Sequence, residues 1–322
     1  MSTRARLNDS LAELESSISH HSSSTYEIYI NGAQVDFLAR LRADNCPGAS
    51  LTDFEITGYI GRGGYGRVYR ARTKDAEVCA LKVQLVSAQS LREKTLSYAF
   101  DSPFIVRALF AFQDAQLLYV ASEFADYGDL KTHSMAIRDF GSDELVRLIA
   151  AQVVLAFEYM HSCNHAHGDL KLDNVLLFKN GYIKLCDLGV TQSVFDESYV
   201  FEGDDEHLPP DKLNEKLCRI SPEWSGLGTF INILIPRGES QITYPRPTFG
   251  TDCVDLLNQL ANRDPSRRIG FATQVKNHAW FRSVDFVKLF YQTIPMVDKL
   301  PPGLEHPQIR PTNAVDLTDL SE

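Results

Sequence analysis

The sequence predicts an α+β protein of two lobes, a small one that is mainly antiparallel sheet with one helix and a larger one that is mainly helical. Three observations carry this. Short apolar runs separated by glycines and polar turns fill the stretch from Phe54 to Val83, which suits strands. Asp143 to His161 reads as an acid-started helix, with Leu145, Leu148, Ile149, Val153, Ala156 and Tyr159 recurring at helical spacing. The chain of 322 residues, 44% hydrophobic, is long enough for one such two-lobed unit with a substantial core.

In chain order, residues 1–50 are polar and serine-rich, with Ser16-Ser17 and Ser22-Ser23-Ser24 and one amphipathic patch from Leu7 to Ile18. They are expected to form a flexible arm or a docking segment. The domain proper is expected over 51–283, divided into a small lobe at 52–122 and a large lobe at 123–283. Within the small lobe, Phe54 to Ile60 and Val68 to Ala71 flank Gly61-Arg62-Gly63-Gly64-Tyr65-Gly66-Arg67-Val68. Bare backbone at such glycines can approach phosphates closely, although a ligand-free hairpin turn or a dinucleotide fingerprint also fits the pattern alone. A dinucleotide site needs the glycines to open a helix, whereas here a strand resumes at Val68. The next strand, Val78-Cys79-Ala80-Leu81-Lys82-Val83, holds a single lysine among apolar residues. In the large lobe, Val175-Leu176-Leu177-Phe178, the turn Lys179-Asn180-Gly181 and the alternating run to Cys186 read as a hairpin. Residues 284–322, with Pro301-Pro302, form a tail of little periodicity.

The most informative stretch is His167-Gly168-Asp169-Leu170-Lys171 followed by Asn174, with Asp187-Leu188-Gly189 one hairpin later. Phosphoryl transfer needs a carboxylate to take the proton of an acceptor hydroxyl and metal ions to neutralise the phosphate oxygens. Asp169 suits the base, Lys171 sits beside the transferred group, and Asn174 and Asp187 supply hard oxygen donors for magnesium. The hairpin should set the two metal ligands side by side.

With these motifs in order, the chain from about Phe54 to Phe281 resembles the protein kinase superfamily, most closely the group containing the cyclic-nucleotide-dependent and ribosomal-protein kinases. Glu93 resembles the helix carboxylate that pairs with Lys82, because Ser102-Pro103-Phe104-Ile105-Val106 follows at the offset typical of the group. Glu123-Phe124-Ala125 resembles the hinge that binds adenine. Gly203 to Asp211 is similar to the substrate-docking segment, whose Asp211 would pair with Arg268, and Asn277-His278-Ala279-Trp280-Phe281 is similar to the closing helix. The resemblance implies ATP and Mg2+ as cofactors. It implies nucleotide contacts from Gly61, Gly63, Gly64, Gly66, Val68, Ala80, Lys82, Glu93, Glu123, Ala125, Asp129 and Leu176. Catalysis falls to Asp169 and Lys171 and metal binding to Asn174 and Asp187. Asp129 and Asp173 match positions that contact the ribose or basic substrate side chains, so the protein substrate is expected to be basic-directed.

Departures from the family pattern matter as much. Gly168 stands where many members carry an arginine that receives an activation-loop phosphate, and Val200 aligns with the phosphorylated threonine. The charge-assisted pair has neither partner, which implies a loop not ordered by that phosphorylation. Asp204 replaces a threonine near the catalytic aspartate. Were the two carboxylates about 4 Å apart, they would repel by about 4 kcal/mol at an effective dielectric of about 20. Leu188 replaces phenylalanine, Ser97 and Ala108 fall where larger apolar side chains stack, and Glu223 stands for an aspartate that anchors the catalytic loop. Ser122 is a small residue beside the hinge. Few residues separate Lys82 from Glu93, and Trp224 from Asp264, so the approach to the regulatory helix and a peptide-docking helix are trimmed. The tail lacks the aromatic motif that group members fold back onto the small lobe.

The net charge of -10 argues against nucleic acid as a partner. No apolar run reaches membrane-spanning length, and Met1-Ser2-Thr3-Arg4 lacks a signal-peptide core, so an intracellular protein, cytoplasmic or nuclear, is expected. Cysteines at 46, 79, 163, 186, 218 and 253 lack metal-ligand spacing and read as free thiols. Cys186, next to Asp187, either faces the nucleotide or is a plain strand cysteine. The favoured function is a serine/threonine protein kinase that transfers the γ-phosphoryl group of ATP to a protein hydroxyl. A nucleotide-binding pseudokinase scaffold and a small-molecule phosphotransferase are the alternatives. The sequence does not identify a regulatory partner.

Overall fold

A computed structural model describes residues 24–63, 66–194, 220–236, 249–262 and 267–316. The first element departs from the sequence expectation. Residues 24–43, assigned above to a flexible arm, form helix α1. Its stripe of Tyr26, Tyr29, Ile30, Ala33, Phe37 and Leu41 packs into the main core, with Phe37 fully buried. That stripe repeats at helical spacing, but it follows directly on a serine run whose polar composition masks it. The Leu7–Ile18 patch lies outside the described residues.

The small lobe is a five-stranded antiparallel sheet of β1 (Phe54–Gly63), β2 (Gly66–Thr73), β3 (Val78–Leu85), β4 (Ala108–Gln113) and β5 (Leu117–Glu123), in the order β1-β2-β3-β5-β4. Alternation along β3 separates its two faces. Cys79, Leu81 and Val83 are buried in a cluster with Phe54, Tyr69, Ala71 and Tyr119, whereas Ala80 and Lys82 are partly exposed on the opposite face. Helix α2 (Ala88–Ala99) follows β3 after only Val86 and Ser87. Ser87 starts it, accepting the Ser90 N–H at 3.0 Å while the Ser90 hydroxyl accepts the Ser87 N–H at 2.8 Å.

The large lobe contains β6 (Gly128–Asp129), α3 (Leu130–Phe140), α4 (Asp143–Ser162), β7 (His165–Ala166), β8 (Val175–Leu177), β9 (Ile183–Leu185), β10 (Gln192–Ser193), α5 (Ser221–Leu234), α6 (Gly250–Leu260), α7 (Ala272–Lys276) and α8 (Phe286–Phe290). Helix α4 begins where its acidic start predicts, capped by Ser142. By length and composition it could cross a membrane, yet it is the core helix of this lobe, with 14 of its residues buried, including all six periodic positions. Buried Gln152 on α4 accepts the Ile183 N–H at 2.8 Å and so fixes β9 against it. Strands β6, β8 and β9 form one small sheet and β7 and β10 another.

The tail is more ordered than its sequence suggests. After α8 it crosses the hinge side, where His306 stacks on Tyr127 at 5.1 Å and bonds the Asp126 carbonyl. It then pairs Arg310 with Tyr59 of β1 through two backbone bonds of 2.8 and 3.0 Å. Asp316 ends this path in an ion pair with Arg67 of β2 at 2.6 Å. Backbone pairing needs no aromatic motif, which is why the missing motif did not forecast the contact.

Candidate active site

The face of β3 that carries Lys82 forms the roof of a cleft between the lobes. Lys82 Nζ lies 2.6 Å from Glu93 Oε1, and both side chains are more than four-fifths buried. The short β3–α2 connection therefore does not prevent this pair, because α2 places Glu93 one turn and a half from its start, facing the sheet. Val68 stands opposite Lys82 across β2 and β3, and Ala80 is next on the same face. From below, Leu176 is the partly exposed middle residue of β8, between buried Val175 and Leu177.

The glycines divide by role. A Cβ on Gly61 would meet nothing within 4 Å, which leaves its surroundings open to a ligand. A Cβ on Gly66 would stand 2.4 Å from the Val83 carbonyl and 2.8 Å from Gln84 Cβ, so this position is glycine because β2 lies directly on β3. Gly63 pairs with Gly66 at the end of the ribbon, and Gly64 lies outside the described residues.

Below the cleft, Asp169, Lys171 and Asn174 form one hydrogen-bonded unit. Lys171 Nζ is 2.7 Å from Asp169 Oδ2. Asn174 Nδ2 donates to the same Oδ2 at 2.8 Å and to the Asp169 carbonyl at 2.9 Å, which turns its Oδ1 away from Asp169. The hairpin brings in Asp187 as the sequence predicts: Val175 pairs with Leu185, and the Cys186 N–H donates to the Asn174 carbonyl at 2.9 Å. Asp187 itself has φ 62, a left-handed conformation that aspartate tolerates better than most residues. Two oxygen donors of this kind, flanking the paired strands β8 and β9, fit a hard cation such as magnesium.

The pocket also explains two charge states. Burial, the largest single influence on Lys171, pulls its pKa down, but the bond to Asp169 and the charges of Asp169, Asp187 and Asp173 outweigh it, and the net shift is upward. Cys186 is partly buried, and burial, reinforced by Asp187, pushes its thiol well above the ordinary range. The charges of Lys82, Glu93 and Asp129 act on it as smaller influences. The described cysteines are all free thiols.

Glu223 does what the aspartate it replaces would do. It is almost fully buried, accepts the Gly168 N–H at 2.9 Å on one oxygen and contacts His161 at 2.5 Å on the other. His167 is also buried, its Nε2 3.0 Å from the Cys186 carbonyl. Ser122 stands across from Ala108 and lies 3.5 Å from the Ala80 carbonyl.

Other positions carry structural duties alongside the roles read from sequence. Glu123 spends its side chain on Lys184 at 2.5 Å and on the Arg107 N–H at 3.1 Å, so its backbone is what remains to meet a base. Ala125 is buried at the start of the hinge, with its carbonyl accepting the Gly128 N–H. Asp129 caps α3 through the Thr132 N–H at 2.8 Å, and Asp173 pairs with Lys131 at 2.7 Å. Asp204, Val200 and Asp211 lie outside the described residues, while buried Arg268 donates to the Asn262 carbonyl. Sequence reasoning passed over Gln89, Arg92 and Thr191, which lie behind the site and bond to backbone carbonyls, groups that no residue letter announces.

Comparison with known proteins identifies the family. The protein kinase domain family matches residues 54–239. The chain is 31% identical over 278 residues to cAMP-dependent protein kinase type 3 of Saccharomyces cerevisiae, across 76% of this chain and 68% of that one. It is 31% identical over 269 residues to the cAMP-dependent protein kinase catalytic subunit of Dictyostelium discoideum, across 74% of this chain and 41% of that one. To the cAMP-dependent protein kinase catalytic subunit PRKX of Mus musculus it is 30% identical over 284 residues, 79% of each. The chain thus belongs to the protein kinase family, as an ATP-dependent serine/threonine kinase related to the cyclic-nucleotide-dependent enzymes.

Proposed function

We propose that this kinase turns over, using Asp169 to orient and deprotonate a serine or threonine hydroxyl while Lys171 steadies the transferred phosphoryl group. The observation that carries the reading is the assembled Lys82–Glu93 pair, at 2.6 Å, above an Asp169–Lys171–Asn174 unit that is already hydrogen-bonded. Lys82 would grip the nucleotide phosphates, with Glu93 holding its ammonium in place. Asn174 and Asp187 would hold magnesium, which neutralises charge on the phosphates when bound. Gly61, Gly63, Gly64 and Gly66 would cover the phosphates. Val68, Ala80 and Leu176 would sandwich the base against the backbone of Glu123 and Ala125, and Asp129 would face the ribose.

A preference for basic residues near the acceptor is supported by the carboxylates of Asp129 and Asp173. Both are partly spoken for, one by a helix cap and one by Lys131, so the preference is expected to be shallow. Dependence on ATP and the free thiols support an intracellular location, cytoplasmic or nuclear. A pseudokinase would explain Asp204, whereas the Lys82–Glu93 pair and the Asp169–Lys171–Asn174 unit support turnover. The test is magnesium-dependent transfer from labelled ATP to a degenerate peptide library and to the protein itself, with Asp169→Asn as the blank. Transfer lost in the variant supports the reading; nucleotide binding without transfer in the wild type overturns it in favour of a scaffold.

A further inference from the structure

Helix α2 carries more than Glu93. Gln89, Arg92 and Glu93 lie three and four residues apart and share one face of the helix. Glu93 reaches up to Lys82, whereas the other two reach down to the turn that follows Asp187. Gln89 Nε2 donates to the Gly189 carbonyl at 3.3 Å, and the Arg92 guanidinium donates to the Thr191 carbonyl at 2.5 Å.

Thr191 is fully buried, and each of its polar groups is committed. Its N–H donates to the Leu188 carbonyl at 3.1 Å, its hydroxyl donates to the His167 carbonyl at 3.2 Å, and its own carbonyl takes Arg92. One residue therefore ties the metal-ligand turn, the loop of Asp169 and the helix of Glu93 together. Removing any of these donors would leave a buried polar group without its partner, which is costly.

Gly168 shows why the connection runs through backbone carbonyls. Its φ is +84, and a Cβ there would stand 3.3 Å from the Val190 carbonyl. A side chain at this position is strained and pressed against the segment that Arg92 holds. An arginine, which the family resemblance places here, would strain this backbone and require the Val190 carbonyl to give by a few tenths of an ångström.

We propose that Arg92 and Thr191 form a phosphate-free latch that positions Glu93, Asp187 and Asp169 relative to one another. Arg92 touches no reacting group and is a positioning residue acting through the Thr191 carbonyl. The proposal rests on the site assignment made above, but it is tested independently of turnover.

The full chain is treated with phosphatase, and hydrogen exchange is followed in 88–99 and 187–193 for the wild type, Arg92→Ala, Arg92→Lys, Thr191→Val and Thr191→Ser. The latch predicts a protected wild type and exchange about tenfold faster in both segments for Arg92→Ala and Thr191→Val, the loss expected when a buried donor is removed. Arg92→Lys and Thr191→Ser each keep a donor and should restore protection. In the transfer assay, kcat should fall with exchange while the KM for acceptor peptide stays within about twofold. The combined Arg92→Ala, Thr191→Val variant should be no worse than the worse single one, because both open one latch. Unchanged exchange in 187–193 for Arg92→Ala, or a wild type that loses protection on phosphatase treatment, overturns the proposal. A wild type that transfers no phosphate refutes the functional reading alone, since the exchange pattern still decides the latch.

Discussion

Asp187 combines a metal-binding carboxylate with a left-handed backbone, so its two properties can be separated by substitution. Asparagine tolerates the same φ and removes only the charge. Asp187→Asn is expected to lower magnesium-supported transfer at least about 100-fold while the melting temperature stays near that of the wild type; retained turnover would remove Asp187 from the metal site. Lys171 gives a pH prediction. Its pKa in the folded protein is raised above the ordinary 10.5. For a cation with a raised pKa, the charged form and any stability it brings are fully present below the unfolded value and fade only as pH rises through the folded one. The rate profile should therefore show no alkaline limb from Lys171 below about pH 10, and a limb near pH 8 or 9 that vanishes in Lys171→Arg would contradict the geometry. At this scale much was legible in the sequence. Lys82 pairs with Glu93, and Asp169 bonds Lys171 and Asn174, because their chemistry resides in side chains. Arg92 and Thr191 were not legible because the acceptors that define them are carbonyls.

Among the elements, α1 and α4 make the contrast clear. Helix α4 announces itself through its acidic start at Asp143 and its apolar period, and it runs over Asp143–Ser162, one residue past the expected His161. Helix α1 has an equally good stripe, but its neighbours disguise it. Its key is Phe37, fully buried, stacked on Phe100 at 4.6 Å and edge-on to His165 at 4.8 Å. Phe100 caps the end of α2, so α1 supports the helix that carries Glu93. Arg40 adds a bond to the Ala99 carbonyl at 2.7 Å, and Asp44 pairs with Lys94 on α2 at 2.7 Å. Phe37→Ala should destabilise the protein by about 3–5 kcal/mol in chemical denaturation, the usual range for emptying a buried aromatic site. A loss under about 1 kcal/mol would return 24–43 to the status of a dispensable arm. The hairpin was legible from its turn residues and the hinge only through the family resemblance, whereas the tail's path was not, because its pairing with β1 uses main-chain groups.

For the molecule as a whole, the tail links regions far apart in sequence. It touches the hinge at Tyr127, β1 at Tyr59 and β2 at Arg67 and Tyr69. Truncation after Leu304 would remove all of these contacts while leaving the core helices in place. The KM for ATP should rise severalfold with the KM for acceptor peptide unchanged, because the lost contacts lie on the nucleotide side; an equal rise in both would point to general loosening instead.

The small lobe is also held from the other end of the chain. Segment 44–50 leaves α1 and runs along the outside of α2 to β4, where the Pro47 carbonyl accepts the Ala111 N–H at 3.0 Å. Chain therefore passes between the lobes on the N-terminal side, at the hinge and along the tail. A body hung on one strap can swing about it, but one held by three has less rotation left. Nucleotide exchange in this kinase should then depend on bending of the β1–β2 ribbon more than on the lobes swinging apart, and the cleft would work like a mailbox flap rather than a jaw.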